Sequence, residues 1–195
     1  MATGKFYGAA ADYNKPPGLA GINRGNIFKI LGLSAGALIL IIVGYVAFTA
    51  LTSAGRNDAA RLVARERVVL NFMTSNQAAL SSDDLKTITS NAISLQLSDI
   101  YSLQQGLKTS FSLTTIPDDI TKSEADTTSA KALVTAKTQG QFDQKYIQLL
   151  RDKIAAAQNL TTSVQNGSSG AMKTATQTNL NHLKIIDEQL TKLNL

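Results

Sequence analysis

The 195-residue sequence has no cysteine, no tryptophan and only one histidine, and each scarcity closes off a class of chemistry. Without cysteine there is no disulfide framework, no thiolate zinc site, no cysteine-ligated iron–sulfur cluster and no thiol nucleophile. With His182 as the sole imidazole, catalysis or metal ligation built on paired histidines is excluded. Glutamate is scarce too. Glu66, Glu124 and Glu188 are the only three, and none opens a Glu-x-x-His pair. A di-iron bundle needs about four carboxylates and two such pairs, so it cannot be assembled here. No Gly-x-Ser-x-Gly turn, Walker loop or Gly-x-Gly-x-x-Gly is present. These gaps predict a protein that is not an enzyme and holds no metal or cofactor. The net charge of +5 divides unevenly: residues 56–195 carry fifteen Lys/Arg against thirteen acids, a balance with no electrostatic footprint for nucleic acid.

What the chain does have is one long uncharged run. Twenty-six residues from Ile30 to Gly55, including Ala37 to Val43 (ALILIIV), lie between Lys29 and Arg56. As a helix this run is roughly 39 Å long, enough to cross a hydrocarbon core of about 30 Å. We therefore place a single transmembrane helix at 27–55, in contact with membrane lipid through residues 30–55. It follows a disordered tail at 1–26 that carries Pro16, Pro17 and five glycines. Thr52 and Ala54 are small residues at signal-peptidase spacing. The run is nevertheless longer than an ordinary signal-peptide core and begins far from the N-terminus, which favours an uncleaved anchor. Four basic residues flank it on each side, so the positive-inside rule does not choose an orientation. The length of the following domain, which can be translocated despite nearby charge, favours an extracytoplasmic C-terminus. Arg56, Arg61, Arg65 and Arg67 are candidates for anionic lipid contact, the alternative being a solvated helix face. Gly32-x-x-x-Gly36 is a helix-pairing pattern of low specificity.

Residues 56–195 read as all-α. Between Arg56 and Gln105 there is neither glycine nor proline, and no strand-type alternation occurs. Four amphipathic segments are expected, at about 57–79, after Ser81-Ser82-Asp83-Asp84 to near Phe111, at about 141–166, and at 171–193. Their apolar faces are predicted to carry Leu62, Val69, Met73 and Leu80; Ile93, Leu97, Ile100, Leu107 and Phe111; Phe142, Tyr146, Leu149, Ala157, Leu160 and Val164; and Met172, Ala175, Leu183, Ile186, Leu190 and Leu193. The thirty-residue link between the second and third contains a further helical candidate, Ser123 to Lys137, opened by a Thr121-Lys-Ser-Glu124 capping box. Four helices with one stripe each bury those stripes against one another. The long link predicts a four-helix bundle of ferritin-like topology, with its crossover between helices two and three.

Three polar side chains fall on or beside these stripes: Glu66, Lys153 and His182. The favoured reading is a set of boundary residues, with Glu66 paired to Arg61 or Arg65 at the surface, Lys153 snorkelling to water and His182 satisfied at the edge; the alternatives are a polar layer at mid-height that fixes helix register and a ligand site.

The element Gly140-Gln-Phe142-Asp143-Gln-Lys-Tyr146-Ile147, the helix after it, and the terminal helix bearing Asn-His182-Leu183 resemble the C-terminal half of the domain-of-unknown-function 4142 family. The resemblance implies a bacterial, exported, ferritin-like bundle. It also implies a histidine eight positions after Tyr146, where this chain has Ile154, and an Asp-His pair on an earlier helix, for which no histidine remains. The expected role is thus a membrane-anchored, non-catalytic bundle acting at the cell envelope through an unidentified protein partner or surface component. The alternatives are an extracytoplasmic ligand-sensing bundle and a degenerate ferritin-like metal-handling protein.

Overall fold

The computed structural model describes residues 55–193. The expected tail at 1–26 and almost all of the expected spanning helix lie outside the described residues. Among the described residues no helix is long and apolar enough to cross a membrane. This part of the chain is all-α and contains no strand. Helix α1 covers 55–76 and runs into a 3-10 turn at Gln77–Ala79. Four helices of the expected kind, α1, α2 (Asp83–Phe111), α5 (Phe142–Gly167) and α6 (Gly170–Thr191), are joined by a link bearing α3 (Asp118–Ser123) and α4 (Ser129–Thr138).

Local chemistry sets the helix ends. The Ser82 hydroxyl accepts from Leu85 N–H at 3.2 Å, and Asp83 and Asp84 occupy the first turn of α2, where the positive end of the helix dipole favours them. Asp143 of α5 accepts the backbone N–H groups of Ser81 and Ser82 at 2.8–3.1 Å, tying the α1–α2 turn to the start of α5. At the far end of α2 the chain leaves through Ser112, in the left-handed region at φ 52. Gly106 lies inside α2 and does not break it. A Cβ there would come within 3.0 Å of both Cα and Sδ of Met172, so the glycine permits close approach of α2 and α6.

Side-chain pairings give the helix directions. Glu66 meets Gln96, and Gly55 lies beside Phe111, so α1 and α2 are antiparallel. Asp99 meets His182 while Gly106 meets Met172, so α2 and α6 are antiparallel. Thr161 with Asn179 and Arg151 with Asp187 make α5 and α6 antiparallel. Phe72 stacks on Tyr146 with ring centroids 5.2 Å apart, and Arg65 reaches the Ala156 carbonyl, so α1 and α5 also run oppositely. It follows that α2 and α5 point the same way, and the link between them must return along the length of the bundle.

The link does so by docking on α1 and α5. Ile120 of α3 packs on Ala60 and Ala64, two small residues that let a short helix approach. Glu124 receives Arg61 and Arg65 of α1 at 2.6–3.0 Å, and Asp126 receives Lys153 of α5 at 2.6 Å. Of the single helix expected from Ser123 to Lys137, only the part from 129 onward forms, as α4; 124–128 is not helical, and Ser123 is the last residue of the separate α3. The capping box does not form. Thr121 sits inside α3 with its hydroxyl on the Pro117 carbonyl, and Glu124 is drawn to the two arginines.

The core stripes differ from expectation on two helices. On α1 and α6 the inner residues are the expected ones, with Leu62, Val69, Met73, Met172, Leu183, Ile186 and Leu190 all buried. On α2 the expected Ile100 and Leu107 are buried, but the inner face also takes in Leu85, Thr89, Ala92, Gln96, Asp99 and Leu103, Ile93 and Phe111 are half-buried, and Leu97 is 56% exposed. On α5 it is Tyr146, Leu150, Ile154, Ala157, Thr161 and Val164, so Leu149 and Leu160 are only half-buried flank residues.

Candidate functional site

The core is not continuous. One apolar block gathers Met73, Leu85, Tyr146, Leu150, Ile154 and Leu183, and a second gathers Leu62, Leu103, Leu107, Val164 and Met172. Between them lies a layer of buried polar side chains to which all four long helices contribute: Glu66 from α1, Gln96 and Asp99 from α2, Thr161 from α5, and Asn179 from α6. His182, one turn beyond Asn179, closes the layer at the surface with its side chain 26% exposed.

The hydrogen bonds of the layer form two sets, Gln96 with Glu66, and Thr161 with Asn179, Asp99 and His182. Gln96 Nε2 donates to Glu66 Oε2 at 2.5 Å. The Thr161 hydroxyl lies 2.9 Å from Asn179 Oδ1, to which it can donate, and Asn179 Nδ2 donates to Asp99 at a long 3.4 Å. His182 Nδ1 stands 2.8 and 3.0 Å from the two Asp99 oxygens, and against the ionised carboxylate this nitrogen is the donor. Two oxygens in the layer, Glu66 Oε1 and Gln96 Oε1, are buried and have no hydrogen-bond partner.

Burial governs the electrostatics. Desolvation pushes the Glu66 carboxyl up to about 7, against the hydrogen bonds from Gln96 and Asn179, and the neighbouring Asp99 charge adds to the rise. Asp99 is likewise raised by desolvation, in spite of its bonds to His182 and Asn179. A protonated Glu66 is a donor as well as an acceptor, which is the species two unpartnered acceptor oxygens can use. The layer can thus hold a proton and fix the mutual register of four helices. Among the described residues no group of three or more His, Asp or Glu side chains is arranged to hold a metal ion.

Of the three residues singled out from the sequence, Glu66 and His182 lie in this one layer, Glu66 bonded to Gln96 and His182 to Asp99. Lys153 does not. Position 153 is on the flank of α5 that faces the link, where its ammonium pairs with Asp126 and lies 5.1 Å from the Phe72 ring centroid. Nor is Glu66 a surface partner of Arg61 or Arg65, since it is wholly buried and both arginines bind Glu124. Of Arg56, Arg61, Arg65 and Arg67, Arg61 and Arg65 pair with Glu124. Arg56 and Arg67 are exposed and make no ion pair among the described residues. Gln96, Asp99, Thr161 and Asn179 were not singled out by sequence reasoning. Their signal was spacing, because Thr89, Gln96, Asp99 and Leu103 keep a three-to-four-residue rhythm with Leu85 and Ala92. No family model, curated protein or solved structure matches the chain.

Proposed function

We propose that this protein is a single-pass, membrane-anchored helical bundle of ferritin-like topology that works at the bacterial cell envelope by contact rather than catalysis. The observation that carries the reading is the uncharged run from Ile30 to Gly55 directly preceding a bundle of four long helices. The up-down-down-up order of α1, α2, α5 and α6 supports the ferritin-like assignment, as does the resemblance carried by Phe142-Asp143-x-x-Tyr146. A non-catalytic role is supported by the polar layer's position between two apolar blocks, where only His182 reaches the surface. Arg56, Arg61, Arg65 and Arg67 remain the residues proposed to meet anionic headgroups next to the anchor, with Arg56 and Arg67 exposed and Arg61 and Arg65 shared with Glu124.

The test is fractionation with protease protection in intact and lysed cells. The full chain should stay in the membrane pellet through alkaline extraction, and a C-terminal epitope should be digested by protease added outside the cytoplasmic membrane. Release of the chain by alkali, or a mature N-terminus near Gly55, would overturn the anchor. Protection of the epitope until lysis would place the bundle in the cytoplasm.

A further inference from the structure

The link between α2 and α5 touches α1 at Ile120 and then stands away from it, leaving a cleft of about 440 Å³ between α1 and residues 121–130. Its size is that of a small-molecule site. The floor is apolar, made by Ala64, Val68 and Phe72 of α1 facing Ala125 and Ala130 of the link. Two ion-pair fastenings hold the link over this floor, Glu124 with Arg61 and Arg65, and Asp126 with Lys153.

The charges bordering the cleft are Arg67 and Asp126. Asp126 is fully engaged, for Oδ1 accepts the Thr128 and Ser129 N–H groups at 3.1 and 3.0 Å and Oδ2 takes Lys153 at 2.6 Å. Arg67 makes no ion pair among the described residues. The cleft therefore combines an apolar bed with one uncommitted guanidinium, and Asn71 one turn further along α1 adds an amide beside it. A guanidinium fork is matched by a carboxylate in two parallel hydrogen bonds.

We propose that this cleft binds a small organic acid, its apolar body on Ala64, Val68 and Phe72 and its carboxylate on Arg67. Such a ligand would bridge α1 and the link. The site does not depend on membrane attachment. It is tested on the full chain in lipid nanodiscs of zwitterionic lipid, with empty discs as the blank and 4-phenylbutyrate as the probe in titration calorimetry. Saturable one-site binding is expected, with no binding of 4-phenylbutylamine, whose charge is reversed. Arg67→Gln should weaken binding tenfold or more. Arg67 is exposed, so this variant should keep the wild-type circular dichroism and urea midpoint. Ala130→Phe, which fills the cleft from the link side, should abolish binding. Affinity should be unchanged in discs containing anionic lipid, where Arg56, Arg61 and Arg65 can meet headgroups without Arg67. No binding to the wild-type chain at millimolar probe would overturn the proposal, as would equal affinity in either variant or equal binding of the amine. Loss of binding in anionic discs would assign Arg67 to lipid headgroups and overturn it too.

Discussion

Glu66→Gln tests the energetic reading of the polar layer most directly. In the folded chain Glu66 holds its proton up to about 7, against 4.5 for the same group free in water. A folded value raised above the unfolded one means that folding takes up a proton between these limits. The stability tied to Glu66 is then fully present below about pH 4.5, falls as pH rises, and is lost above about pH 7. A difference of two to three units corresponds to about 3 kcal/mol, a large share of the stability of a domain this size. Asp99, also raised, acts in the same direction. Glutamine copies the neutral carboxyl in shape and offers an amide donor to the unpartnered Gln96 Oε1. Urea unfolding followed by far-UV circular dichroism should find variant and wild type within about 1 kcal/mol of each other at about pH 5. At about pH 8 the variant should be the more stable by up to about 3 kcal/mol. A wild-type stability that does not fall between those pH values would refute the reasoning. So would a variant destabilised equally at both, which would mean that the carboxylate is stabilised as an ion.

Other perturbations separate packing from electrostatics. Asp126 has its carboxyl held well below the usual carboxylate range by Lys153 and by the hydrogen bonds of Ser129 and Thr128, against the opposing effect of partial burial. Its contribution is present above 3.8, the ordinary value, and lost as pH falls below it. Asp126→Asn should therefore destabilise the chain near neutrality and have little effect in strong acid, a pattern that pH-dependent urea midpoints would register. Gly106→Ala should cost about 1 to 2 kcal/mol despite alanine's better helix propensity, because the new methyl meets Met172 backbone at 3.0 Å; a gain in thermal midpoint would show that α6 yields there. Leu150→Ala, at a site with no exposure, should cost about 2 to 5 kcal/mol, whereas Leu97→Gln on the outer face of α2 should stay within about 0.5 kcal/mol in the same unfolding assay. Equal costs at the two positions would mean that α2 or α5 is misphased.

The helix class and the helix ends were legible because capping and breaker chemistry is local: Ser82, Asp83 and Asp84 open α2, and Gly167 to Gly170 separate α5 from α6. Phase was legible on α1 and α6, where Leu62, Val69, Met73, Leu183, Ile186 and Leu190 outweigh the buried Glu66 and Asn179 in marking the inner stripe. On α2 the inner face carries Gln96 and Asp99, and a reading that follows hydrophobicity turns toward Leu97, which faces water. The same bias on α5 favoured Leu149 and Leu160 over Leu150, Ile154 and Thr161. That one error accounts for Lys153 as well, because moving the stripe to Ile154 puts Lys153 on the flank beside the link, within reach of Asp126. The capping box failed for a different reason: Glu124 had stronger partners in Arg61 and Arg65, about sixty residues away in sequence and invisible to any local window. What hid the polar layer is thus what makes it informative. A buried carboxyl such as Glu66 lowers the apparent amphipathicity of its helix and carries a desolvation cost, which a fold tolerates where the group is matched by neighbours from every other helix. Gln96 and Asn179 supply that match for Glu66, and Asn179, His182 and Thr161 extend it around Asp99. A shift of any one helix by a turn would leave a buried polar group without a partner, so the layer selects a single register among the several that an all-leucine interior would allow.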